Sequence, residues 1–173
     1  MSLFITRREK EGEVDAITDL VGQAFAEAPV SDGNEAEIVC KLREQEGLIL
    51  SLVAELSTGE IIGYIAFSLI HTQEKDLPNN WLCLAPVAVH PRYQKLGVGS
   101  RLIRDSLEKL TEMGYDGATV LGSPDYYIRF GFIQSTTLKL ADVPLEYFMV
   151  LKLRDDALEP VGHVKFHNAF NIQ

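Results

Sequence analysis

The sequence predicts a mixed α/β or α+β fold in which a central sheet is flanked by helices. Three observations predict it: helical periodicity over the first forty residues, a switch to β-branched and aromatic runs between Leu48 and Val89, and a glycine-bearing turn at Gly97–Gly99 from which an amphipathic helix departs. The expected order is strand, two helices, three strands, helix, strand, short helix and further strands.

Each element has a local cause. Val14, Ile17, Leu20, Val21, Ala24 and Phe25 recur at three- and four-residue steps, which places them on one face of a first helix ending near Pro29. A second helix starts with Asp32 three residues before Glu35, a capping-box arrangement, continues through Ile38, Val39 and Leu42, and is ended by Gly47. Leu48–Leu56 and Ile61–Ile70, separated by Ser57-Thr58-Gly59-Glu60, predict an antiparallel hairpin. After a polar, proline-containing loop from His71 to Asn80, the run Trp81–Val89 stops at His90-Pro91, because proline cannot donate to a sheet ladder.

From Gly97 to Met113 a loop turns into a helix with Leu102, Ile103, Leu107 and Leu110 on one face and Gly114 at its left-handed end. Ala118–Leu121 reads as a short buried strand. In Gly122-Ser123-Pro124-Asp125 the serine or aspartate is placed to cap a brief helix toward Phe130. Phe132–Ser135 and Glu146–Leu153 are the last expected strands, and the tail from Asp155 carries no clear period.

Composition narrows the functional classes. The 173 residues, 46% hydrophobic and 24% charged, predict one packed domain spanning 1–173. The longest apolar run, Ile61–Ile70, is broken by Gly63 and Ser68 and is about half the ~20 residues a membrane helix requires. No secretory signal opens the chain, so no membrane association and a cytoplasmic location are expected. Cys40 and Cys83 lie far apart, without metal or redox spacing, and read as reduced core residues. A net charge of −9 argues against a nucleic-acid surface, so an anionic ligand must be held locally.

Pro86–Ile103 joins a strand end, a glycine loop and a helix start within eighteen residues. Backbone N–H groups in a first helical turn lack internal partners and carry the positive end of the helix dipole, so they suit phosphate oxygens. Gly97 and Gly99 lack side chains that would keep those oxygens away. By themselves the two glycines are equally compatible with a tight turn. The segment lacks the third glycine of a dinucleotide fingerprint and the Lys-Ser or Lys-Thr of a P-loop. His163 and His167 are four residues apart but have no third ligand, so no metal is expected. Ser100 and Ser123 lack the G-x-S-x-G elbow of a hydrolase.

In register, Val87-x-Val89-x-Pro91-x-x-Gln94-x-x-Gly97-x-Gly99-x-x-Leu102-Ile103 resembles the acetyl-CoA-binding signature of the GNAT acetyltransferases. Tyr127-Ile-Arg-Phe-Gly-Phe132 resembles the Y-x-[KR]-x-G-F element of the same family. The phrase Leu121–Phe132 and the element order look like a bacterial subgroup of predicted GNAT enzymes. The resemblance implies the GNAT acyl-CoA N-acyltransferase fold, with a mixed, mostly antiparallel sheet, and acetyl-CoA as cosubstrate. It implies that Gln94, Lys95, Leu96, Gly97, Val98, Gly99 and Ser100 hold the diphosphate through their amides, and that Val87, Ala88 and Val89 bond the pantetheine.

The resemblance further implies transfer of acetyl to a primary amine by direct attack. A backbone N–H near Val89 would meet the oxyanion, and the Tyr127 hydroxyl would act as general acid toward the sulfur. Tyr126 is the adjacent alternative, expected to pack or to line the pantetheine channel. Glu35, Glu74, Asp76, His71 and His90 are base candidates by chemistry, with capping, loop or surface roles as their ordinary alternatives, and water as another relay. The acceptor, an amine-bearing small molecule or protein, and the assembly, monomer or homodimer, stay open. A rival reading keeps the cofactor site without turnover, as an acyl-CoA sensor or assembly module.

Overall fold

The computed structural model describes residues 3–26, 28, 31, 33–72 and 80–171. Along the chain run β1 (Phe4–Arg8), α1 (Val14–Phe25), α2 (Glu35–Glu44), β2 (Leu50–Leu56), β3 (Ile61–Leu69), β4 (His71–Thr72), β5 (Trp81–Val89), α3 (Val98–Glu112), β6 (Gly117–Leu121), α4 (Pro124–Tyr127), β7 (Ile133–Gln134), β8 (Leu138–Lys139), β9 (Phe148–Lys152) and β10 (Gly162–Lys165). Seven strands form one twisted sheet in the order β1-β2-β3-β5-β6-β9-β7. Every pairing in it is antiparallel except β5 with β6.

The helices divide between the two faces as their apolar stripes require. On one face α3 buries Val98, Leu102, Ile103 and Leu110 against Leu52, Ile62, Ile65 and Phe67 of the sheet. On the other, α1 and α2 bury Ile17, Leu20, Val21 and Val39 against Val53, Tyr64, Ala66 and Ala88. A third apolar cluster joins Trp81, Cys83 and Val150 of the main sheet to Leu138 and Val164. Those last residues belong to a second sheet, β4-β10-β8, in which β10 pairs antiparallel with β4 and parallel with β8.

Several boundaries differ from expectation for identifiable reasons. The first helix ends at Phe25; Pro29 and Asp32 lie outside the described residues. The N-cap position of α2 is Asn34, without a side-chain bond, while Glu35 accepts from the Ser31 hydroxyl. The left-handed residue after α2 is Glu46, at φ 56°, and not Gly47. Gly47 follows it and closes the helix end, its N–H bonding the Leu42 carbonyl at 2.7 Å, and a Cβ there would also stand 2.8 Å from Nε2 of His167. Ser123 occupies the N-cap position of α4 but makes no capping bond. The expected strand Phe132–Ser135 shortens to β7, and the first residues of Glu146–Leu153 form a 3-10 turn, Leu145–Tyr147, before β9.

At the start of α1, Arg7 on β1 bonds both carboxylate oxygens of Glu13 at 2.7 and 2.9 Å and reaches Glu55 on β2 through Nε at 2.6 Å. This cluster ties the helix entry to the first two strands.

Candidate active site

β5 and β6 run parallel but pair only where Trp81–Cys83 lies beside Gly117–Thr119. Beyond that, β5 stays on β3 while Val120 and Leu121 of β6 follow Met149 and Phe148 of β9. The centre of the sheet therefore opens into a fork between Leu84–Val89 and Val120–Leu121. On β5 the register with β3 slips between Leu84 and Val87, a bulge that contains Pro86 behind a cis Ala85–Pro86 bond. Proline has no N–H for a ladder, so a bulge is how a central strand accommodates it. Pro86 inside an apolar run is the sequence signal for this bulge, whereas Pro91 marks only the end of the strand.

Strand alternation decides what faces the fork. His90 N–H bonds the Ile62 carbonyl of β3 at 2.8 Å. Neighbouring residues present their peptide groups to alternate sides, so those of Val89 and Val87 turn toward the gap and those of Ala88 toward β3. The Val89 carbonyl accepts from Gln94 Nε2 at 3.1 Å, leaving its N–H toward the fork.

At the mouth of the fork the chain turns into α3. Lys95 and Gly97 both take left-handed backbones, with φ of 65° and 86°. For lysine this conformation is uncommon, and such backbones concentrate at ligand sites. The first intrahelical bond runs from Arg101 N–H to the Gly97 carbonyl at 3.0 Å, so the amides of Val98, Gly99 and Ser100 precede the ladder. Buried Val98, Leu102 and Ile103 hold this helix start in place.

A cleft of about 460 Å³ follows, lined by Val89, Tyr93, Gln94, Lys95, Gly97–Ser100, Tyr126 and Arg129. Its ionisable lining includes two cations, Lys95 and Arg129, and no carboxylate, against the −9 charge of the whole chain. A Cβ on Gly99 would point into it, 3.3 Å from the Tyr126 hydroxyl. Of the residues expected at the diphosphate, Leu96 is exposed and outside this lining, and Val87 and Ala88 sit deeper along the fork.

The two tyrosines separate. Tyr126 lines the cleft, with the Arg129 guanidinium 5.2 Å over its ring. Tyr127 is only 8% exposed and packs edge-on against Phe132 at 5.7 Å. Burial is the main cause holding its hydroxyl far above the ordinary phenol range, with Tyr126 and Cys83 adding to it. The phenol is therefore a neutral donor at any ordinary pH. Space for its ring depends on Gly122, where a Cβ would stand 2.4 Å from Cε2 of Tyr127.

The remaining candidates disperse. Glu35 lines a separate cavity of about 200 Å³ between α1 and α2. His90 Nδ1 accepts from Arg92 N–H at 3.1 Å and caps the following 3-10 turn. His71 lies on β4 beside a cavity of about 810 Å³ at the second sheet; Glu74 and Asp76 lie outside the described residues. His163 sits on β10, whereas His167 Nδ1 accepts from Ala169 N–H at 3.0 Å as a cap. Among the described residues no three His, Cys, Asp or Glu side chains converge on a metal position, and no helix is long and apolar enough to cross a membrane. Arg129 and Tyr126 were missed as a pair; their spacing in Tyr126-Tyr-Ile-Arg129 places them on one helical face and was the available signal.

A forked sheet with a cleft and the first-turn amides of a helix at its mouth defines the class of this α/β chain. Residues 14–132 match the Acetyltransferase (GNAT) family. The chain is 40% identical over 141 residues to the uncharacterized N-acetyltransferase YhbS of Escherichia coli, covering 79% of this chain and 83% of that protein. A crystal structure of Escherichia coli YhbS in complex with CoA superposes with a TM-score of 0.88 at 34% identity, covering 99% of this chain and 94% of that one. A GNAT family acetyltransferase from Brucella melitensis in complex with acetyl-CoA gives a TM-score of 0.83 at 35% identity, covering 96% and 97%. The chain belongs to the GNAT acetyltransferase family.

Proposed function

We propose that this protein transfers the acetyl group of acetyl-CoA to a primary amine by direct attack. The observation that carries the reading is the fork between β5 and β6, which opens beside unpartnered amides at the start of α3. The relatives crystallised with CoA and acetyl-CoA support it.

The residues present fit that cosubstrate. Amides of Gln94–Ser100 and the Lys95 side chain suit a diphosphate, because a helix N-terminus and a cation both favour negative charge. The peptide groups of Val87 and Val89 offer a pantetheine the ladder that β6 has left. When bound, acetyl-CoA supplies a thioester carbonyl that a neutral amine nitrogen can attack, with the C–N bond forming and the C–S bond breaking. The Val89 N–H stabilises the carbonyl oxygen as it becomes negative. Tyr127, kept neutral by burial, donates its proton to the departing sulfur and is reprotonated from solvent. The cleft lining includes no carboxylate, and Glu35 is engaged by Ser31, so the amine proton leaves through water. Free Cys40 and Cys83 fit a reducing, cytoplasmic setting.

The test is release of free thiol from acetyl-CoA by the purified protein in the presence of amines, peptides and aminoglycosides. Acceptor-dependent release is expected. CoA binding with no release across the panel would favour a sensor.

A further inference from the structure

Among the described arginines without an ion pair, Arg8, Arg92, Arg104 and Arg129, the last two are set apart by lying over aromatic rings. Arg7, Arg43, Arg101 and Arg154 each form an ion pair. Among the described residues Arg104 and Arg129 form none, although acidic side chains outnumber Lys and Arg 25 to 16. Each instead lies over an aromatic ring, Arg129 at 5.2 Å from the Tyr126 centroid and Arg104 at 5.1 Å from that of Phe130. The two rings touch edge to face, with centroids 5.3 Å apart. One aromatic platform therefore holds two guanidinium groups beside α3.

Their position relative to the cleft gives them a use. Arg129 lines the cleft directly. Arg104 lies one helical turn beyond Ser100 on α3, about 6 Å further along the axis from the amides assigned to the diphosphate. Coenzyme A carries a third phosphate, a ribose 3′-monoester with nearly two negative charges at neutral pH. The start of α3 is already engaged by the diphosphate, so the monoester needs side-chain donors. Guanidinium groups suit phosphate through paired N–H bonds, and stacking on a ring orients them before the ligand arrives.

We propose that Arg129 and Arg104 bind the ribose 3′-phosphate of coenzyme A and so distinguish it from 3′-dephospho-coenzyme A. This rests on the cofactor reading of the cleft given above.

Calorimetric titration of the wild type, Arg129→Gln, Arg104→Gln and the double variant with both ligands tests it. Both side chains are exposed, so the variants should fold, and Arg129→Lys checks that charge alone restores part of the effect. The wild type should bind CoA more tightly than the dephospho form. Each single variant should lose about tenfold for CoA, the scale of one charge-assisted hydrogen bond, and less than about twofold for the dephospho form. The double variant should show no preference. Equal losses for both ligands, or an unchanged CoA affinity, would overturn the assignment. A wild type that binds both equally well overturns the 3′-phosphate site alone, whereas one that binds neither overturns the cofactor reading with it.

Discussion

Replacing Gly99 separates cofactor binding from folding. An ideal Cβ at this position stands 3.3 Å from the Tyr126 hydroxyl and 3.6 Å from Cγ2 of Val89, both of which line the cleft. Alanine therefore fits after a shift of a few tenths of an ångström, with its methyl aimed where a phosphate oxygen would approach the first-turn amides. On the folding side, alanine in a helix is favoured over glycine by roughly 0.5–1 kcal/mol, which offsets the tight contact. The melting temperature should stay within about 2–4 °C of the wild type. On the binding side, loss of one hydrogen bond to a charged group costs about 1.5–3 kcal/mol, a Kd raised roughly 10- to 150-fold. Leucine should raise it further. Calorimetric titration with CoA alongside thermal unfolding reads both quantities. A Gly99→Leu protein with wild-type melting and wild-type Kd would refute the placement of the diphosphate.

Other substitutions test neighbouring steps. Tyr127→Phe keeps the buried ring, so kcat should fall about 10²–10⁴-fold while the affinity for CoA changes little; unchanged turnover would remove Tyr127 from the acid role. Because burial raises the Tyr127 hydroxyl above its ordinary value, kcat of the wild type should show no fall at about pH 10 from this group, and a limb there that vanishes in Tyr127→Phe would contradict its burial. The Arg7 hydrogen bonds hold the Glu13 carboxyl down to about 2 from 4.5. A depressed folded value stabilises fully above pH 4.5, and the contribution is lost as pH falls through about 2. Glu13→Gln should therefore lower the melting temperature at neutral pH and flatten its acid slope between about 4.5 and 2; identical slopes would mean the cluster contributes nothing.

The parts of the fold and site legible in the sequence were those fixed by local signals. The bounds expected for β5, Trp81–Val89, are those observed, because an apolar run ending at His90-Pro91 is punctuated locally. The helix α3 begins and ends at Gly97 and Gly114, both with left-handed backbones. The second sheet was invisible because its strands are two to four residues long and pair across the chain, as His71 does with Lys165. Gly47 ends α2 as expected, its N–H closing on the Leu42 carbonyl, but its further need to lack a side chain comes from His167, distant in sequence. Lys95 shows the limit at the site: lysine has no local preference for a positive φ, which the turn between β5 and α3 imposes. The contrast between Tyr126 and Tyr127 likewise depends on packing, with the space above Gly122 admitting one ring and the Gly99 surface receiving the other hydroxyl.

The most direct measurement is a crystal structure of this protein with CoA. The diphosphate should lie on the amides between Gln94 and Ser100, and the sulfur in the fork between Val87–Val89 and β6, within hydrogen-bond reach of the Tyr127 hydroxyl. CoA bound elsewhere, for instance in the cavity beside His71 and His167, would contradict the account.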